Sequence, residues 1–137
     1  MLNSIEKYQE ELKAAYDFDQ EPGQFQYLIE LGKKKDGLSD SEKNDTNKMF
    51  GCLAQVWIVC TEKGGKFYFM GDSDAHIVKG LVSVIVDIMS GLTVNEIAKI
   101  RHNIVDRLGL GPGLTARRQV GMMAMIDHIK NISGAKK

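Results

Sequence analysis

Scarcity marks this sequence before any motif does. Only two cysteines, two prolines and one tryptophan occur among 137 residues. Two cysteines cannot build the disulfide framework of a small secreted domain. Their positions, Cys52 and Cys60, do not form a C-x-x-C pair, which disfavours a dithiol redox enzyme. Eight residues of extended chain span about 26 Å, so a direct disulfide or a shared metal would require something other than a strand between them. Zinc needs four ligands, or three and a water. The three histidines, His76, His102 and His128, are widely spread and are read as surface or capping residues, with His128 exposed on the last helix.

Charge of one sign is also missing. Lys plus Arg is 18 and Asp plus Glu is 18, for a net charge of zero. A neutral chain gives no electrostatic reason for nucleic acid or an anionic membrane as partner. No run of about 18 apolar residues is present to cross a bilayer. The amphipathic, acidic start, MLNSIEKYQEEL, lacks the basic and apolar regions of a signal peptide. A cytoplasmic protein with reduced thiols is expected, organised as one domain over residues 1–137.

What is present has a clear order. Asn3 and Glu6 resemble a capping box. Ile5, Tyr8, Leu12 and Tyr16 then repeat at helical spacing, predicting a first helix over about 4–16. Pro22 suits the first turn of a second helix, with Phe25, Leu28, Ile29 and Leu31 as its apolar face and Gly32 as its stop. Residues 36–46 are polar and predict a loop with a turn at Ser39 and Glu42. The period then changes. Gln55 to Thr61 is rich in β-branched and aromatic residues, Lys63-Gly64-Gly65 is a turn, and Lys66 to Met70 is a second strand, together a hairpin. A short third strand is expected around Asn47–Phe50.

Asp72-Ser73-Asp74 reads as an N-cap cluster before a long apolar helix from Ile77 to Met89, ended by Gly91. Thr93 and Glu96 form another capping box. Gly109-Leu110-Gly111-Pro112-Gly113 is an irregular connection, and it lacks the Gly-Lys-Ser/Thr ending of a phosphate loop. Thr115 caps a last helix bearing Met122, Met125, Ile126 and Ile129. Two helices, a small antiparallel sheet, then three helices make an α+β chain rather than a βαβ alternation.

Cys52 is the position with chemistry in view. It follows Gly51 directly before a strand, where a turn can present a thiol at a tip and glycine tolerates positive φ. A small buried cysteine at a strand start is the competing reading from spacing alone. Cys60, at the far end of an apolar strand, reads as structural. Gly80, inside a helical stretch, costs about 1 kcal/mol against alanine and points to a close packing contact. Arg117 and Arg118 stand at the wrong end of the last helix for its dipole, which asks for another partner for at least one of them.

Three separated motifs carry a family resemblance: Gly51-Cys52-Leu53-Ala54-Gln55-Val56-Trp57; Gly71-Asp72-Ser73-Asp74-Ala75 with Ile77-Val78-Lys79-Gly80-Leu81; and Leu114-Thr115 through Arg118 to Gly121. With Tyr27-Leu28-Ile29-Glu30-Leu31-Gly32, they resemble the SufE family of sulfur acceptors for cysteine desulfurases, over about Phe25 to Ile132. The resemblance implies an α+β fold shared with IscU-type scaffolds and a persulfide on Cys52. It also implies a SufS-like desulfurase as donor and stimulated partner, and delivery to an iron–sulfur scaffold. No cofactor is expected on this chain, since pyridoxal phosphate would sit in the partner. Gly51, Gln55, Asp74 and Arg118 are the candidate loop- or partner-binding residues, Arg118 through its spacing to Gly121. Leu53 and Ala54 replace the Gln and Ser of the family's usual loop; Gln26, Ala116 and Arg117 also depart from its pattern. Two other classes compete. An IscU-like scaffold usually needs three cysteine ligands against the two here, and a cysteine-dependent hydrolase would recruit a distant histidine.

Overall fold

The computed structural model describes residues 2–50, 54–110 and 116–135. The first element, α1 (Leu2–Lys34), is two helical arms joined across non-helical Asp19 and Gln20. Ile5, Tyr8 and Leu12 are buried on the first arm and Leu28 on the second, as their spacing predicts. Each such apolar side chain contributes about 2 kcal/mol when fully buried. Four expectations are corrected here. The helix is already formed at Leu2, so Asn3 lies inside it. The first arm overruns residue 16. Tyr16 is half exposed rather than core. The second arm continues through Gly32 to Lys34. Pro22 does fall in the first turn after the break.

Gly32 does something other than stop a helix. A Cβ there would lie 2.4 Å from the carbonyl oxygen of His76, and one on Gly80 would lie 2.1 Å from that of Leu28. The two glycines let α1 and α2 (His76–Met89) pack backbone to backbone, the close contact Gly80 called for. The second arm is also tied to the first. The Gln24 amide, buried at 3% exposure, donates to Leu12 O at 3.1 Å, and Tyr27 donates to Glu11.

The sheet is antiparallel with order β1-β2-β3: β1 (Lys48–Met49), β2 (Val56–Lys63) and β3 (Lys66–Ser73). The expected third strand is present. Lys63 faces Lys66 across Gly64 and Gly65, whose φ values of 62° and 79° match a type I′ hairpin turn. Met49 faces Val56, so residues 50–55 connect β1 to β2 at the other end of the sheet. Val56, Ile58 and Phe69 are buried with α2. On the opposite face Tyr68 and Met70 are exposed. Along the outer edge of β3 the Ser90 hydroxyl accepts from Phe69 N at 2.9 Å, and Leu92 O accepts from Phe67 N at 2.9 Å.

β3 runs through Asp72 and Ser73, so these two are strand residues and not the N-cap cluster expected. Helix α2 instead begins after Ala75, without a side-chain cap. Its residues from Leu81 to Val86 are all buried, placing it centrally between α1, the sheet and α5 (Ala116–Ser133). The Thr93–Glu96 capping box starts α3 (Val94–Ala98) as predicted. Its backbone bond holds the Glu96 carboxyl below the usual carboxylate range. A further short helix, α4 (Ile104–Arg107), has no counterpart among the expected elements; four helices, not three, follow the sheet among the described residues. Met122, Met125, Ile126 and Ile129 of α5 are buried. Gly111-Pro112-Gly113 and Thr115 lie outside the described residues. No described helix is long and apolar enough to cross a membrane.

Candidate functional site

Cys52 and Gly51 lie outside the described residues, as does Leu53. What is described is the frame that carries them. Both strands flanking the connection are anchored by Met49 and Val56, which are 2% and 0% exposed. Past the last strand pair the β2–β3 ladder continues through Gln55 and Asp74. Asp74 N donates to Gln55 O at 3.3 Å. Gln55 N donates to Asp74 Oδ1 at 3.0 Å, and the Gln55 amide donates to Asp74 Oδ2 at 3.3 Å. The same amide's oxygen accepts from Lys48 Nζ at 3.4 Å. One glutamine thus ties the start of β1, the start of β2 and the end of β3 together at the root of the cysteine-bearing connection. The sequence nominated Gln55 and Asp74 separately; the structure brings them together.

Beneath this clamp sits a group that sequence reasoning misplaced. Asp72 is only 5% exposed. Its carboxylate accepts from Leu38 N at 3.0 Å and from Ser73 N at 2.8 Å. Lys79 stands 3.6 Å away and Lys43 3.9 Å away. Lys79 also donates to Lys35 O at 2.9 Å, and the Lys43 ammonium lies 5.8 Å from the Trp57 ring centroid. A buried carboxylate is tolerated only when paired and hydrogen-bonded, and here it pins the loop after α1 across the same end of the sheet. Ser39 and Glu42 form the expected turn within that loop, with Ser39 N donating to Glu42 at 3.1 Å.

Arg118 stands in the first turn of α5. Its guanidinium stands 5.8 Å from the Phe25 ring centroid, a cation–π contact that supplies the partner its position in the first turn of α5 called for. Gln26, which departs from the family pattern, donates to Glu30 at 3.0 Å on its own helix.

Cys60 is half buried and packs against the core. Burial, and then the negative charge of Glu62, raise its thiol pKa above the ordinary value. It is correspondingly poor in thiolate, the nucleophilic form. His76 is exposed at the start of α2. His102 bonds Asp127 at 2.8 Å on the surface. His128, expected to be exposed, is half buried, with Nε2 enclosed and without a hydrogen-bond partner among the described residues, and its pKa is lowered by burial. Among the described residues no cluster of His, Cys, Asp or Glu is arranged to hold a metal ion.

Residues 9–133 match the family model described as the SufE Fe-S metabolism associated domain. The chain belongs to the SufE family. Its role therefore lies in iron–sulfur metabolism. An uncharacterized SufE-like protein of Rhizobium etli is 37% identical over 111 residues, covering 77% of this chain and 75% of that protein. One from Rhizobium meliloti is 36% identical over 118 residues, covering 82% and 84%. A SufE-like protein of Synechocystis is 36% identical over 97 residues, covering 71% and 61%. The fold resembles the solution structure of a hypothetical protein from Thermus thermophilus, with a TM-score of 0.71, 16% identity and 93% of each chain covered. That likeness speaks to the fold alone.

Proposed function

We propose that this SufE-family chain accepts sulfur as a persulfide on Cys52 from a cysteine desulfurase and delivers it for iron–sulfur cluster assembly. The observation that carries the reading is the contrast between the two thiols. Cys60 is packed against the core with its ionisation suppressed, which leaves Cys52, in the braced connection between β1 and β2, as the candidate nucleophile. Family membership supplies the metabolic setting.

The chemistry is thiol–persulfide exchange. The Cys52 thiolate attacks the outer sulfur of a persulfide on the donor. A new S–S bond forms at Cys52, the donor's S–S bond breaks, and the donor cysteine leaves as a thiolate. The proton on the outer sulfur travels with it, and no net oxidation occurs. Nucleophile ionisation, leaving-group pKa and access set the rate, as in disulfide exchange. Pyridoxal phosphate belongs to the desulfurase on this reading, and removing its persulfide frees it for another turnover. Transfer to a recipient repeats the step, with the recipient's thiolate as nucleophile.

Mass spectrometry of the protein mixed with a desulfurase and cysteine tests the assignment. The expected result is a gain of one sulfur on the Cys52 peptide and none on the Cys60 peptide, reversed by reductant. A Cys52 peptide that never gains mass beside an active desulfurase refutes it.

A further inference from the structure

β1 is two residues long, and strand alternation turns Met49 into the core and its neighbours outward. Phe50 follows it with 76% of its surface exposed. Its ring is not packed into the core; the Lys48 ammonium lies 5.7 Å from its centroid. Lys48 in turn bonds only the neutral Gln55 oxygen at 3.4 Å and forms no ion pair among the described residues. Among the described residues, an exposed aromatic ring and a cation without an ion-pair partner therefore stand side by side at the root of the cysteine-bearing connection.

Covalent geometry decides what can cover them. Consecutive Cα atoms are about 3.8 Å apart, so Phe50 lies within about 8 Å of Cys52, Cα to Cα, whatever path the chain takes. A donor persulfide must come into bonding distance of the Cys52 sulfur. A standard interface buries about 800 Å² on each partner, a footprint of about 16 Å radius. Phe50 falls inside that footprint when it is centred on the Cys52 sulfur. Aromatic anchors near the centre of an interface carry a large share of binding energy, and an unneutralised cation beside one selects an opposite charge.

We propose that Phe50 and Lys48 form the docking tip by which the sulfur donor is recognised, an inference that rests on Cys52 being the acceptor. The matching surface on the donor is an apolar socket with a carboxylate at its rim, beside the channel to its persulfide. Phe50 acts as a specificity determinant, and Lys48 both holds the ring and reads the carboxylate.

Desulfurase turnover measured against the concentration of full-length carrier tests this. Phe50→Asp is expected to raise the concentration giving half-maximal rate about tenfold or more. Phe50→Leu restores most of the loss by keeping the apolar anchor. Lys48→Glu raises the same concentration about threefold and reverses its dependence on ionic strength. Phe50→Ser, which adds no charge beside the thiol, is expected to give a comparable loss while iodoacetamide labelling of Cys52 without donor, read on the isolated peptide, proceeds at the wild-type rate, with an unchanged melting temperature. A half-maximal concentration for Phe50→Asp within about twofold of wild type overturns the proposal. So does Cys52 labelling that falls in step with transfer, because Phe50 would then act on the thiol rather than on docking. A wild-type protein that gains no sulfur at all refutes the carrier reading itself, before any variant is compared.

Discussion

The two ends of β2 solve the problem of reversing the chain in different ways. At one end Gly64 and Gly65 close a two-residue turn through their own backbone angles, with open space around each. At the other end residues 50–55 join β1 to β2, and side chains do the holding: Gln55, Asp74 and Lys48 at the surface, Asp72 beneath. A turn closed by glycine is finished by local conformation and needs nothing else. A connection held by side chains can carry a reactive residue and still have a firm root. The lesson is that the described root of the cysteine-bearing connection is held by side chains at the ends of three strands, where the hairpin turn at the far end is closed by backbone angles alone.

The sharpest way to break this contrast is at the thiols. Cys52→Ser is expected to abolish sulfur uptake while leaving the melting temperature unchanged, whereas Cys60→Ser retains transfer. Mass spectrometry with a working desulfurase reads both. The raised Cys60 pKa adds a pH signature. Fewer thiolates exist at a given pH, so its labelling by iodoacetamide should climb only above the pH range of an ordinary thiol.

Next in size comes the support beneath the cysteine-bearing end. Asp72→Ala strands the N–H groups of Leu38 and Ser73, removes the carboxylate facing Lys79 and leaves Lys43 only its exposed pair with Asp40. A loss of about 3 kcal/mol is expected from urea unfolding. At the quiet end, Gly64→Ala forces a side chain into φ 62° and should cost about 1 kcal/mol, with sulfur transfer unchanged. A larger loss there than at Asp72 would invert the contrast. Smallest in global terms is Asp74→Ala, at an exposed carboxylate, expected to cost less than about 1 kcal/mol. Its effect should be local: amide exchange at Gln55 rising by about tenfold, with Thr61 and Tyr68 unmoved.

Much of this architecture was legible because its signals are local. The Gly64-Gly65 turn between β-branched and aromatic runs, the apolar stretch from Ile77 to Met89 and the Thr93–Glu96 box each declare themselves within a few residues. The departures have a common cause. Asp72 and Ser73 look like cap residues, since Asp and Ser are poor strand formers. They sit in β3 because Leu38, Lys43 and Lys79 supply partners that no local window contains. Gly32 looks like a helix stop, yet the approach of α2 through Gly80 is what requires it. α4 is a single turn, too short to show a period. His128 is enclosed by tertiary packing although its neighbours in sequence are polar and apolar in equal measure. At the candidate site, Gln55 and Asp74 stand out through the family resemblance, and only the antiparallel register of β2 and β3 shows them as one clamp. Phe50 is silent in the sequence, because exposure of a single aromatic residue leaves no mark there.

The outer rim of β3 has a consequence of its own. An unpaired strand border invites a neighbouring molecule to add itself, and that is a common start to precipitation. Here the serine and leucine that follow α2 fill the places such a visitor would take, one with a hydroxyl and the other with a carbonyl. Ser90→Ala should therefore show itself first as turbidity in concentrated solution, at protein levels where the parent stays clear.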